Sequence, residues 1–423
     1  MNTVEIKEKI LSGCFDGDFV MLYGDAEKAK TRYADAVCEF EKLYGKKDNI
    51  RLFSAPGRTE IGGNHTDHQH GCVLAASVDL DVIAVVSETD NGTVRIKSKG
   101  YPMDTVSVND LAVKESETGK AISLIRGVCA AFVNAGNSIG GFDAYTTSNV
   151  LKGSGLSSSA AFEVLVANII NGLFCENKVL PIELAKFSQF SENVYFGKPS
   201  GLLDQMASAV GGFTYADFND PKQPDVEKID FDIQKTGYTL CVVDTGGNHA
   251  DLTDDYADIT KECRAVSNYL GVDFLRDANE QRFFENLADI RKKCSDRAAL
   301  RAFHFFTEQG RVLSQRAALK EGNFEKFLAL VDASGESSYK NLQNLYSNSN
   351  PAEQGLCLAL ALTKNMINGV GTARVHGGGF AGTVQCYIKN ELFAEYKSMI
   401  EKVFGEGSCV KLFIRPVGGY EIK

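Results

Sequence analysis

Lys152-Gly153-Ser154-Gly155-Leu156-Ser157-Ser158-Ser159-Ala160-Ala161 stands between a strand-like run, Phe142–Ser148, and an apolar stretch with helical spacing through Val164, Leu165, Asn168 and Ile169. Strand, glycine-rich loop, serines and helix make the layout of an anion site at a helix N-terminus. First-turn amides have no partner inside the helix, and the peptide dipole favours negative charge there. The serines are expected to cap the helix. The same residues also suit a capped helix after a flexible loop, with no ligand at all. The P-loop pattern GxxxxGK[ST] and the protein-kinase set are absent.

Upstream, the turn-rich Ala55-Pro56-Gly57-Arg58 leads to His65-Thr66-Asp67-His68-Gln69-His70-Gly71, which holds three of the six histidines. Polar groups packed this densely need partners if they are buried. Three readings stand. His65, Asp67, His68 and His70 have the donor types of a zinc site, as in a metal-dependent hydrolase. Asp and His beside a glycine turn also suit a clamp on vicinal sugar hydroxyls, because a carboxylate accepts two hydrogen bonds at once. A solvated loop is the third.

At 423 residues the chain calls for two domains. A formal charge of −10 and the lack of basic runs argue against nucleic acid as a partner. Eleven cysteines, none in a CxxC pair, read as reduced, mostly buried thiols, and a cytoplasmic location is expected. Met1–Lys7 lacks a signal-peptide pattern, and no apolar run reaches membrane-spanning length, so no membrane partner is expected.

Along the chain, residues 24–44 read as a helix ending at Gly45, and Arg51–Ser54 as a short strand entering the turn at Pro56-Gly57. Val82–Ser87 and Thr93–Lys97 read as a hairpin turning at Asp90-Asn91-Gly92. Residues 122–133 suit a helix closing at Gly136, and a further helix begins at Pro181, carries Glu192 and stops near Gly197. Asp204 opens another helical stretch, where an acid is either a helix-start charge or a functional carboxylate. Asp217–Gln234 reads as a polar surface excursion at the domain boundary, and 255–346 as mainly helical. The strands Ala373–His376 and Val384–Ile388 flank Gly377-Gly378-Gly379-Phe380-Ala381-Gly382, then comes a helix near 391–404 and a strand near Val410–Ile414: a small sheet covered on one side by helices.

Three glycine-bearing segments, 55–71, 153–161 and 377–382, in this order, closely resemble the motifs of the GHMP small-molecule kinases, and of the galactokinases within them. Gly153, Gly155, Leu156, Ser157, Ser158, Ser159 and Ala160 match the pattern P-x-G-x-G-L-S-S-S-A, with Leu151 where Pro is usual. The signature G-R-x-N-x-x-G-E-H-x-D-Y-x-x-G is met by Gly57, Arg58, Gly63, His65, Asp67 and Gly71; it departs at Glu60 (for Asn), Asn64 (for Glu) and His68 (for Tyr). The resemblance runs from about residue 20 to the C-terminus.

It implies an α+β architecture, with a ribosomal-protein-S5-like N-terminal domain at 1–220 and a ferredoxin-like C-terminal domain at 221–423. It implies ATP and Mg2+ as cofactors, sugar 1-phosphorylation, and a monomer whose small-molecule partners are sugar and ATP. Residues 153–159 (Gly153, Ser154, Gly155, Leu156, Ser157, Ser158, Ser159) would hold the triphosphate, with Ser159 and Glu192 as magnesium ligands. Asp204 would face the hydroxyl that is phosphorylated, with Arg58 as its cationic partner. Asn64, His65, Asp67, Gly201 and Tyr256 would contact the sugar. A Glu at position 64 reaches the C6 hydroxyl in that pattern, so Asn64 is expected to face C6 and to discriminate less against galacturonate. Galactose is the expected substrate; galacturonate and N-acetylgalactosamine are alternatives, and a non-catalytic sugar sensor is another.

Overall fold

The computed structural model describes residues 1–151, 155–247 and 252–423. The first sheet is built from β1 (Arg51–Gly62), β2 (Cys72–Thr89), β3 (Thr93–Ser98), β4 (Met103–Ser107), β5 (Gly141–Ser148), β6 (Phe213–Asp217) and β7 (Asp225–Ile229), in the order β1-β2-β5-β3-β4, with the β6–β7 hairpin on the other end of β2. The second sheet is antiparallel: β8 (Tyr238–Asp244), β9 (Gly371–Val375), β10 (Thr383–Lys389) and β11 (Cys409–Leu412), in the order β11-β8-β10-β9. A last strand, β12 (Tyr420–Ile422), returns to the free edge of β1. The expected boundary at 220/221 lies in the turn of the β6–β7 hairpin, which closes as one unit on the first sheet.

One core joins the two sheets. Helix Ser158–Phe174 lays Val164, Leu165, Ile169 and Ile170, all fully buried, against the first sheet. Each is worth about 1.5–3 kcal/mol of burial. Val312, Phe327 and Val331 carry the same cluster from helices Asp296–Lys320 and Phe324–Ser337 across to Tyr387 of β10. Among the described residues, no helix is long and apolar enough to cross a membrane.

Several expectations need correction. Ala55–Arg58 is not a turn: β1 runs straight through it, with register shifts between Pro56 and Arg58 and between Glu60 and Gly62. Proline lacks the N–H a regular ladder would use, so it falls at an irregularity, and such irregularities re-aim the following side chain. Residues 82–97 are not a hairpin, because β5 lies between the two strands, antiparallel to β2 and parallel to β3. The turn closes locally, with the Asn91 carboxamide oxygen accepting from Thr93 N at 3.0 Å, while β5 enters the gap at Gly141 opposite Thr89. The polar excursion 217–234 contains β7.

Candidate active site

β1, irregular between Pro56 and Arg58, brings Arg58 against Asp204, in the first turn of helix Leu203–Val210. Arg58 donates from Nε (2.7 Å) and Nη2 (2.6 Å) to Asp204 Oδ1, and from Nη1 to the Gly155 carbonyl. Ser157 Oγ donates to Asp204 Oδ2 at 2.6 Å. Burial opposes ionisation of Asp204, but Arg58, the Ser157 hydroxyl and Lys198 outweigh it and hold the carboxyl below its usual range. The side chain is still 32% exposed, which leaves it open to a ligand.

Ser157 does not cap its helix as expected. It is left-handed (φ 59°), and among the described residues no side chain caps Ser158–Phe174. Such a backbone costs of order 1–3 kcal/mol and persists where its surroundings demand it; here it turns the hydroxyl to Asp204. Leu156 anchors the loop, with its side chain in the core and its carbonyl accepting from Arg58 N at 3.0 Å. Gly153 and Ser154 lie outside the described residues.

Glu192 lies in a π-helical turn, Ser191–Phe196, an irregularity frequent at functional sites. Its Oε1 accepts from Lys198 Nζ (3.0 Å) and Ser159 Oγ (3.4 Å), and its Oε2 from Ser200 Oγ (2.6 Å) and Gln205 Nε2 (2.8 Å). Gln205 Nε2 also reaches Glu163 Oε2 at 3.1 Å. Burial, with Glu192 adjacent, pushes the Glu163 carboxyl well up. Lys198, Gln205 and Glu163 were not singled out as site residues. Gln205 follows Asp204 and was within reach, whereas Lys198 sits in a loop with no periodic signal.

On the other wall Asp67 lies against Gly201, where a Cβ would run into Asp67 Oδ2. His65 Nε2 is 2.8 Å from the Gly378 carbonyl, and its ring centroid is 6.1 Å from that of Tyr256. Burial, then the neighbouring His68, lowers the His65 imidazole to about 4, so it is neutral at pH 7. Tyr256 OH donates to the Gly379 carbonyl at 3.0 Å. Tyr256 stands on helix Thr253–Leu270, and its ring packs edge-on to Phe380.

Two expectations about this wall fail. The histidines do not converge on a metal: His65 turns to Gly378, His70 stacks on Phe274 at 3.6 Å, and His68 points outward, 40% exposed. Asn64 does not line the cleft. It is fully buried, and its carboxamide donates to Glu60 Oε1 (2.8 Å) and the Gly377 carbonyl (2.7 Å) while accepting from Asn344 Nδ2 (2.7 Å) and Ser338 Oγ (3.3 Å). Glu60 meets Arg374 at 3.3 Å, and burial pushes its carboxyl up to about 7 against the pull of Arg374 and Arg58.

The class defined by this fold and site is the GHMP kinase, whose N-terminal domain matches residues 123–212. The galactokinase galactose-binding signature matches residues 38–88. The galactokinase of Streptomyces coelicolor is 33% identical over 348 residues, 81% of this chain and 86% of that protein. The galactokinase of Glaesserella parasuis is 28% identical over 375 residues, 86% of this chain and 91% of that protein. The crystal structure of Lactococcus lactis galactokinase complexed with galactose superposes with a TM-score of 0.76 at 22% identity, covering 92% of this chain and 99% of that one. The chain belongs to the galactokinase family.

Proposed function

We propose that this chain transfers the γ-phosphoryl group of ATP to the C1 hydroxyl of galactose, giving galactose 1-phosphate. The observation that carries this reading is the Arg58–Asp204–Ser157 cluster at the mouth of the helix Ser158–Phe174. Phosphoryl transfer needs positioning and charge neutralisation more than covalent help. Asp204, kept ionised by Arg58, accepts or orients the proton of the attacking hydroxyl. Arg58 also lies where it can offset charge on the group in transit.

The uncapped first turn of that helix, with the adjoining Gly/Ser loop at 153–159, suits a triphosphate. Ser159 and Glu192 offer hard oxygen donors beside it and would hold magnesium, the Lys198 ammonium already marking a cation position against Glu192. Bound there, the ion supplies neutralisation of the phosphate oxygens. His65, Asp67, Gly201 and Tyr256 form the sugar wall.

ADP release with ATP, magnesium and a panel of monosaccharides tests the reading. Galactose is expected to give the highest kcat/KM. A higher value for galacturonate or N-acetylgalactosamine would reassign the substrate, and no turnover with any sugar would favour a sensor.

A further inference from the structure

The third glycine segment has no part in the chemistry above, yet three successive carbonyls in it are taken by side chains from elsewhere. Gly377 O accepts from Asn64 Nδ2 at 2.7 Å. Gly378 O accepts from His65 Nε2 at 2.8 Å and from Asn344 Nδ2 at 3.1 Å. Gly379 O accepts from Tyr256 OH at 3.0 Å. Gly377 and Gly379 have φ of 66° and 81°, which turns the carbonyls of the segment toward these partners, and a Cβ on Gly378 would run into the Tyr256 ring. Two of the residues so held, His65 and Tyr256, belong to the sugar wall.

A carbonyl oxygen only accepts, so the imidazole nitrogen facing Gly378 carries the hydrogen. In a neutral ring the other nitrogen is then bare. Asn64 is the reverse case, with both amide hydrogens and its oxygen spent inside the protein and nothing left for a ligand. Its main-chain carbonyl is also fixed, accepting from His304 Nε2 at 3.0 Å.

We propose that the 377–379 segment is the positioning element of the sugar wall: through Asn64, a latch that does not touch sugar, and through Gly378, it holds His65 as the Nε2–H tautomer, whose bare Nδ1 accepts from a sugar hydroxyl. This rests on the sugar-kinase reading and deepens it. Such a nitrogen welcomes a hydroxyl donor and repels an anionic oxygen, so the discrimination comes from His65 and its tautomer, and position 64 acts on it only through His65.

The experiment combines nitrogen NMR of the histidine rings with kinetics on galactose and its 2-, 3-, 4- and 6-deoxy analogues. The wild-type His65 signal is expected to show Nε2 protonated and Nδ1 bare; the opposite tautomer overturns the proposal. Asn64→Ala and, independently, Asn344→Ala are expected to lower kcat/KM by about 10- to 100-fold, as a small misplacement does. In both variants the loss should be equal for galactose and the deoxy analogues that keep the hydroxyl facing His65 Nδ1, and smaller for the one that lacks it, and the His65 signal should lose its single-tautomer form. If Asn64→Ala abolishes the preference for galactose over 6-deoxygalactose while Asn344→Ala leaves it intact, Asn64 is a sugar contact and the latch is wrong. Should either variant fail to fold, the wild-type tautomer still decides. Absence of galactose turnover in the wild type would strike the function reading, while the ring signal would report on the scaffold separately.

Discussion

Asp204 and Arg58 act as one unit, and their coupling sets the pH behaviour. Arg58 and Ser157 outweigh burial to hold the Asp204 carboxyl below its usual range. A depressed carboxyl contributes stability that is present above its unfolded value and is lost as pH falls through the folded one. The acid limb of kcat/KM is therefore expected below the ordinary aspartate value. In Arg58→Ala it should move to higher pH, since burial then acts with less opposition; an unmoved limb would mean that Asp204 is not the group being titrated. Glu60 has the opposite sign. Its folded value, about 7, lies above the ordinary glutamate range, so its contribution is fully present below the unfolded value and lost as pH rises towards 7. Glu60→Gln should flatten the fall in Tm between about pH 4.5 and 7, and an unchanged slope in thermal melts at several pH values would count against that assignment. Both residues could be read in the sequence, but the value at Glu60 was not legible there, because it is set by burial, which only the folded chain supplies, against the pull of Arg374 from β9.

At the scale of elements, the strand, glycine loop and helix around 142–174 were legible from composition and periodicity. The direction of the serines was not. Ser157 looks like a cap by residue type, but its left-handed backbone turns the hydroxyl to Asp204, a partner 47 positions away. The hairpin expected at 82–97 failed for a similar reason. Local turn chemistry around Asn91 is correct, but pairing is decided by which buried strand fills the gap, and β5 fills it. The π-helical turn that carries Glu192 leads to a further prediction. Glu192→Gln should raise the magnesium concentration needed for half-maximal turnover, with galactose affinity little changed. A magnesium titration with the same midpoint as wild type would remove Glu192 from the metal site.

For the whole molecule, the site is assembled because the C-terminal half reaches back to β1. Arg374 donates to the Ile61 carbonyl at 2.6 Å, Gln385 to the Glu60 carbonyl at 2.9 Å, and Asn64 meets partners 274 to 313 positions along the chain. No spacing rule reveals such contacts, which is why Asn64 reads as a sugar ligand in the sequence although its side chain is buried and hydrogen-bonded inside the protein. The three motifs, by contrast, carried the family assignment, since each keeps its residue types at fixed short spacing. The central claim is that this cleft phosphorylates galactose at C1 with Asp204 handling the hydroxyl proton. The direct measurement is turnover of galactose by purified wild type and Asp204→Asn, with the product identified by phosphorus NMR and galactose binding measured by calorimetry on both. Wild type is expected to yield galactose 1-phosphate, and Asp204→Asn to bind galactose while its rate falls by about 10²–10⁴. Near-wild-type turnover in folded Asp204→Asn, or a phosphate on a hydroxyl other than C1, would contradict it.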